Sequence, residues 1–319
     1  MSKIGGIYYH APCFDGIVSA VLAWDFHEHE RGWSGVELTP VKYSSKNKWV
    51  SAHLRSNPVV VDFMFHPEAQ FWADHHSTSF HTADLKETFE KSKNSSWIFD
   101  EKATSCAKLL WDRFKHDFKY RNSRYSGLVA WADKIDSARY ESVDEAISAV
   151  APALQLSATL ALTANGAYYN FLVTALKKHS IEAVLEFPEV GKMLKRFKHL
   201  SGNGFELMKH AIRLTKSEIA VFDITLKDAM VNRYSPFYFM PTARYSVGLL
   251  RYAGGAKLTA MRNPWIEFES AHIGDICAKL GGGGHQRVGS ILIPPKNISS
   301  ASEVLEKVIN AIDDNRGEA

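Results

Sequence analysis

The chain has 319 residues, of which 45% are hydrophobic and 23% charged, and a formal net charge of +3. This is a soluble, globular composition, long enough for two domains at roughly 100–200 residues each; the small positive charge permits a polyanionic partner without requiring one. Its three cysteines, Cys13, Cys106 and Cys277, are widely spaced with no CxxC, which argues for a reducing compartment and against a disulfide framework or a zinc finger.

In chain order, KIGGIYYH (3–10) is a short β-rich run ending in a polar residue, and GIVSAVLAWDFHEH (16–29) follows with helical spacing of its apolar positions. The opening stretch lacks the long apolar run of a secretory signal, so a cytoplasmic protein is expected. VELTPVKY (36–43) predicts another strand, and PVVVDFMF (58–65) is a continuous apolar run, the mark of a strand buried on both faces. AQFWADHH (69–76) gives the next strand and TSCAKLLWDRFKHDF (104–118) a helix with Thr104 as its N-cap. Alternation of this kind predicts a parallel sheet flanked by helices.

The segment from Ile147 to Leu176 carries no charge, yet Pro152, Gln155, Asn165, Gly166 and Asn170 interrupt it. It therefore reads as two buried or half-buried helices and not as a membrane span, which needs about 20 predominantly apolar residues. Residues 181–216 are helical and charged, with SGNG (201–204) as a breaker, and residues 186–216 are expected to be a helical connector with hinge behaviour around Phe197–Lys209. Beyond it, EIAVFDITL, RYSVGLLRY and AKLTAMR predict strands, HIGDICAKL a helix, SILIPP a strand and SASEVLEKVINAIDD a closing helix capped by Ser300 or Ser302. The expected division is 1–185, 186–216 and 217–319.

In doubly wound sheets ligands gather beyond the carboxyl ends of the strands. Four places there carry chemistry: His10, Cys13 and Asp15; Asp62; Asp74, His75 and His76; and Asp133 with Asp136 in LVAWADKID. Any one Asp reads equally as a turn former or a cap, Asp136 above all; four such places in one half of the chain read as a site. Mixed His and Asp ligands with no thiolate pair suit manganese, magnesium or another borderline-hard divalent ion. A carboxylate such as Asp62 could bridge two ions about 3.5–4 Å apart, the arrangement used for in-line attack at phosphorus.

VVVDF (59–63), ADHHS (73–77) and LGGGGHQRVGS (280–290) resemble the motifs of the DHH phosphoesterase superfamily with its C-terminal DHH-associated domain. YHAPCFDGIVSAVLA (9–23) resembles its first motif in the variant form H-x-x-C-x-D-G. The resemblance runs from His10 to Ser290 in the family's order. It implies an α/β protein in which a parallel-sheet DHH domain is joined by a helical connector to a smaller α/β domain, with the active site in the interdomain cleft. It implies two Mn2+ ions, with Mg2+ or Co2+ as substitutes, held by His10, Asp15, Asp62, His75 and Asp133, with Asp62 bridging. His76 would contact the phosphate and assist the leaving group, and Asp74 would orient a neighbouring imidazole. Cys13 stands where the commonest first motif has an Asp; a thiolate ligand for a softer metal and a small buried hydrophobe are both open readings.

The glycines of KLGGGGHQRVG fit neither a dinucleotide nor a P-loop motif. They are expected to let backbone N–H groups of Gly282, Gly283 and Gly284 approach an anion, with His285 and Arg287 adding donors. Arg262, at the end of AKLTAMR, falls where the family has a substrate-binding arginine, and Trp265 is a candidate for base stacking, though a core role is commoner.

The expected activity is metal-dependent hydrolysis of phosphoester bonds in nucleotides or short oligonucleotides. Polyphosphate hydrolysis is the alternative, and a nucleotide-binding module without turnover, degraded at Cys13, is a third reading. The expected partner is a small phosphorylated substrate with no membrane, and a homodimer is left open.

Overall fold

Strand residues in the first half bury alternately on two opposite faces, as a covered parallel sheet requires. The structure is a computed structural model and describes residues 4–92 and 94–315. These residues form two compact units: 4–140 with 149–194, and 141–148 with 195–315.

The first unit begins with β1 (Ile4–His10), α1 (Phe14–Arg31), β2 (Gly35–Val41), a short α2 (Lys46–Trp49), β3 (Pro58–Val61) and β4 (Phe71–Asp74). It continues through α3 (Ala83–Ser92), β5 (Trp97–Phe99), α4 (Cys106–Phe118) and α5 (Ser126–Asp136). The strands are all parallel in the order β2-β1-β3-β4-β5, so the chain steps outward from β1 in both directions. Ile7, Tyr9, Val59, Val61, Phe71 and Ala73 pack under α1 and α4, whereas Tyr8, Val60 and Trp72 pack on the other face with Trp49, Phe63, Phe65 and Phe89. The apolar run 58–65 is a strand only as far as Val61. There Asp62 takes a left-handed φ of 55°, and the chain turns away while Phe63 and Phe65 stay buried as side chains of a loop.

The helix over 104–118 starts at Cys106, and Ser105, not Thr104, is its cap: the Ser105 hydroxyl accepts the Lys108 N–H. Thr104 is committed elsewhere, as described below. The uncharged segment forms α7 (Pro152–Leu160) and α8 (Gly166–Lys178), after the short α6 (Val143–Ser148). None of the described helices is long and apolar enough to cross a membrane.

After α9 (Ile181–Leu185), α10 runs unbroken from Pro188 to Ala211, straight through the glycines expected to break it. The boundary between the units falls inside this helix, after Leu194. Gly204 is in α10 for close approach: a Cβ there would lie 2.0 Å from the Met230 carbonyl oxygen, while the Met230 N–H donates to Leu200 O at 2.8 Å. Gly204→Ala is therefore expected to destabilise the protein by about 1–3 kcal/mol, despite alanine's higher helix propensity, measured by urea denaturation. A more stable variant would show that the glycine is there only for sequence reasons.

The second unit holds β6 (Arg213–Leu214), β7 (Ile219–Thr225), α11 (Ser235–Phe239), β8 (Tyr245–Tyr252), β9 (Gly255–Arg262), α12 (Ile273–Lys279), β10 (Gly283–His285), β11 (Val288–Ile293) and α13 (Ala301–Asp314). Its sheet order is β10-β11-β9-β8-β7-β6, antiparallel except for the β7–β8 pair. Helices α12 and α13 cover one face through Ile273, Ile276, Leu305, Val308 and Ile312. Ser300 is the cap residue of α13, but its side chain makes no capping hydrogen bond. Residues 141–148 belong here because Val143 packs with Phe237 and Ala243, and Asn232 Nδ2 donates to Ala146 O.

Candidate metal centre

The ends of β1, β3 and β4 lie side by side, and His10, Asp62 and Asp74 follow from that register. Asp62 is fully buried, and its left-handed backbone, which Asp tolerates better than most residues, turns the carboxylate off the strand end. Its Oδ2 lies 3.5 Å from His10 Nδ1; its Oδ1 lies 3.8 Å from His75 Nε2 and 3.8 Å from His76 Nδ1. His75 Nε2 is also 3.8 Å from Asp15 Oδ2 and 3.4 Å from Asp136 Oδ2.

These separations are too long for good hydrogen bonds. Both Asp62 oxygens, His10 Nδ1 and His75 Nε2 are buried and have no hydrogen-bond partner within the protein. Burying a charge without a partner is costly, so four such atoms facing one another mark a place built for something with positive charge. Ligands about 2.1 Å from a shared cation stand about 3–3.5 Å apart, close to the separations seen here. The donor atoms fall into overlapping sets, each spanning no more than 4.8 Å: His10, Cys13 and Asp62; Asp15, His75 and Asp136; and Asp62, Asp74, His75 and His76. The residues present fit divalent cations.

Neighbouring groups fix the orientation of each. His75 Nδ1 lies 3.1 Å from the Ala103 carbonyl, which takes its proton and leaves Nε2 as the basic nitrogen. Asp74 is fully buried and fully engaged: Oδ1 accepts from the His75 N–H and from His76 Nδ1, both at 2.8 Å, and Oδ2 accepts from Ser79 Oγ at 2.5 Å. Asp15 accepts the Cys106 and Ala107 N–H groups at the start of α4, at 2.7 and 2.8 Å.

Electrostatics follow from burial. Desolvation and the nearby Asp15 push the Asp62 carboxyl well above the ordinary range, and burial pushes Asp15 and Asp136 up to about 6. Burial brings His10 down to about 4, which leaves a neutral ring. Burial opposes charge on His76 too, but the Asp74 hydrogen bond and the charges of Asp74, Asp136 and Asp15 together outweigh it, and the imidazole is held above its usual value.

Asp133 differs from expectation. It lies in α5, not at a strand end, and falls outside the three sets. Its Oδ1 accepts from Thr104 Oγ1 at 2.5 Å and Ser105 Oγ at 3.1 Å, and Oδ2 pairs with Arg139. With its oxygens so engaged it holds the start of α4, whose N–H groups in turn hold Asp15. Asp136, one helical turn on, meets His75 instead. Tyr43 was not singled out by the sequence: its ring packs edge-on to His10 at 4.8 Å, and its hydroxyl is buried without a partner. No motif marks it.

In the second unit, Arg262 is buried, donating to the Asn263 and Phe268 carbonyls with its guanidinium over the Phe268 ring. It therefore packs inside the unit instead of presenting a free fork to a phosphate. Trp265 packs against Tyr234 and Phe237. The glycine run is not an open turn: β10 and β11 form a hairpin so close that a Cβ on Gly282 or Gly284 would strike the Ser290 or Val288 carbonyl at 2.2 Å. His285 ends β10 exposed. Gly283 and Gly284 line a cavity of about 260 Å³ with Arg233, Lys257, Thr259 and Ser290, so polar and cationic groups do gather beside the motif.

No family model and no curated protein matches the sequence. Solved structures do. A pGpG-specific phosphodiesterase, PggH, from Vibrio cholerae is 17% identical with a TM-score of 0.72, over 97% of this chain and 100% of that one. An exopolyphosphatase-related protein from Bacteroides fragilis is 13% identical with a TM-score of 0.50, over 97% of this chain and 92% of that one. At these identities the likeness is one of fold: the chain shares the α/β fold of these two proteins along nearly its whole length.

Proposed function

We propose that the chain is a phosphohydrolase that uses two divalent cations, with Mn2+ the first choice, to cleave phosphoester bonds in nucleotides or short oligonucleotides. The observation that carries this reading is the set of buried, partnerless donor atoms on Asp62, His10 and His75. Asp62 offers one oxygen toward His10 and the other toward His75, so it would be shared, with His10 on one side and Asp15, His75 and Asp136 on the other. Cations held there would neutralise phosphoryl oxygens and make an attacking water more acidic.

The chain's own groups supply the rest. Asp74 fixes the His76 ring through Nδ1, which leaves the Nε2 side to meet the substrate and hand a proton to the departing oxygen. The Tyr43 hydroxyl, partnerless beside His10, is a further donor for a phosphoryl oxygen. The fold shared with a phosphodiesterase named for a dinucleotide supports this substrate class, and the fold shared with an exopolyphosphatase-related protein makes polyphosphate the comparison substrate. Three free thiols support a reducing compartment such as the cytoplasm.

The test is phosphate and mononucleotide release from dinucleotides, mononucleotides and polyphosphate, side by side, with Mn2+ or with chelator. Turnover of dinucleotides that requires the cation is expected; turnover of polyphosphate alone would move the activity to phosphoanhydrides, and no turnover of any substrate would leave a binding module. His76→Ala is expected to lower kcat about 10²–10⁴-fold with bound metal, measured by elemental analysis, unchanged. Loss of metal in that variant would make His76 a ligand instead.

A further inference from the structure

Of the three thiols, two are spent on packing. Cys106 is fully buried with its sulfur against the Ala73 carbonyl, and Cys277 is fully buried beneath β11, where a Cβ on Gly289 would lie 2.5 Å from its sulfur. Cys13 is different. It precedes α1 with extended backbone, φ −138° and ψ 137°, in the cap position, yet its side chain makes no capping hydrogen bond. Among the described residues it is the only cysteine whose sulfur joins a set of candidate ligands, within 4.8 Å of donor atoms of His10 and Asp62. Those two residues hold three of the buried atoms without a partner: His10 Nδ1 and both Asp62 oxygens. The sulfur therefore sits at a place already marked for a cation by groups other than itself.

We infer that Cys13 is a metal ligand, and that it makes the centre asymmetric: a softer position formed by the sulfur of Cys13, a nitrogen of His10 and an oxygen of Asp62, beside a harder one formed by Asp15, His75, Asp136 and the other Asp62 oxygen. This inference rests on the proposed metal-dependent reading of the same site. On binding, the thiol gives its proton to solvent as the sulfur–metal bond forms. Thiolate favours Co2+, Zn2+ or Fe2+ over Mg2+, whereas imidazole with three carboxylates does not discriminate so strongly. The softer position thus selects borderline cations and the harder one accepts Mg2+ or Mn2+. A packing role for Cys13 would predict none of this selectivity.

The experiment uses the full chain, stripped by chelator and titrated anaerobically with Co2+ as a spectroscopic probe. Wild type is expected to show visible cobalt absorption together with a near-ultraviolet sulfur-to-cobalt charge-transfer band. Cys13→Ser and Cys13→Asp are expected to keep the visible absorption and lose the charge-transfer band. Co2+ is expected to slow alkylation of Cys13 by a maleimide, located by peptide mass mapping, at least about tenfold, while Mg2+ leaves it within about twofold. Cys13→Asp is expected to shift the Co2+-to-Mg2+ affinity ratio toward Mg2+ about tenfold or more. Visible cobalt absorption with no charge-transfer band in wild type would overturn the role of Cys13 and leave the metal centre standing. No cobalt absorption at all would overturn both. A charge-transfer band that survives in Cys13→Ser would assign the sulfur to another cysteine and end the inference.

Discussion

Asp62→Asn is expected to abolish cation-dependent hydrolysis, lowering kcat/KM by about 10⁴-fold, or about 5.5 kcal/mol of transition-state stabilisation. Asparagine is the informative replacement because it keeps the shape of the side chain and, like aspartate, tolerates the left-handed backbone that residue 62 adopts at a φ of 55°. What it removes is the charge that faces His10 with one oxygen and His75 with the other. Bound metal should fall together with activity in elemental analysis. The same variant is expected to melt no lower than wild type in chelator, because the carboxylate it replaces is buried, partnerless and repelled by Asp15, Asp74 and Asp136. Loss of activity with a lower melting temperature in chelator would reassign Asp62 to folding. Undiminished turnover would remove it from the reaction altogether.

Much of this centre was legible because a parallel sheet converts sequence order into spatial order. Apolar runs that end in His10, Asp62 and Asp74 had to end on one edge, since parallel strands share direction. What was not legible depended on contacts remote in sequence. Asp133 and Asp136 sit on one helix, three residues apart, and nothing in LVAWADKID tells which one meets His75. The choice is made by Thr104, Ser105 and Arg139, which engage Asp133. SGNG reads as a helix breaker until the Met230 carbonyl is seen against Gly204. Tyr43 belongs to no motif and is identified only by the rings it touches. The glycine run was informative about position but not about form: the residues serve a tight hairpin, and Arg262 turns inward to its own unit's carbonyls.

Metal removal is expected to destabilise the protein by an amount that grows with pH. Asp15 and Asp136 are pushed up by burial to about 6 and Asp62 is held well above its ordinary value, whereas in the unfolded chain all three have ordinary carboxylate values near 3.9. Between about pH 4 and 6, therefore, the folded state without cations holds more protons than the unfolded state, and its stability falls as pH rises. His10, brought down to about 4 by burial, works in the opposite sense between about 4 and 6.5, but it is one group against three. Cations replace the protons on the same oxygens and remove the penalty. The quantity to measure is the melting temperature with saturating Mn2+ minus that in chelator, from pH 4.5 to 7.5, because contributions from groups outside the centre cancel in the difference. It is expected to be near zero at the acid end and about 5–10 °C at pH 7.5, given about 2.7 kcal/mol at a hundredfold excess over Kd. A difference that stays flat with pH would mean that these carboxylates are not where the cation binds.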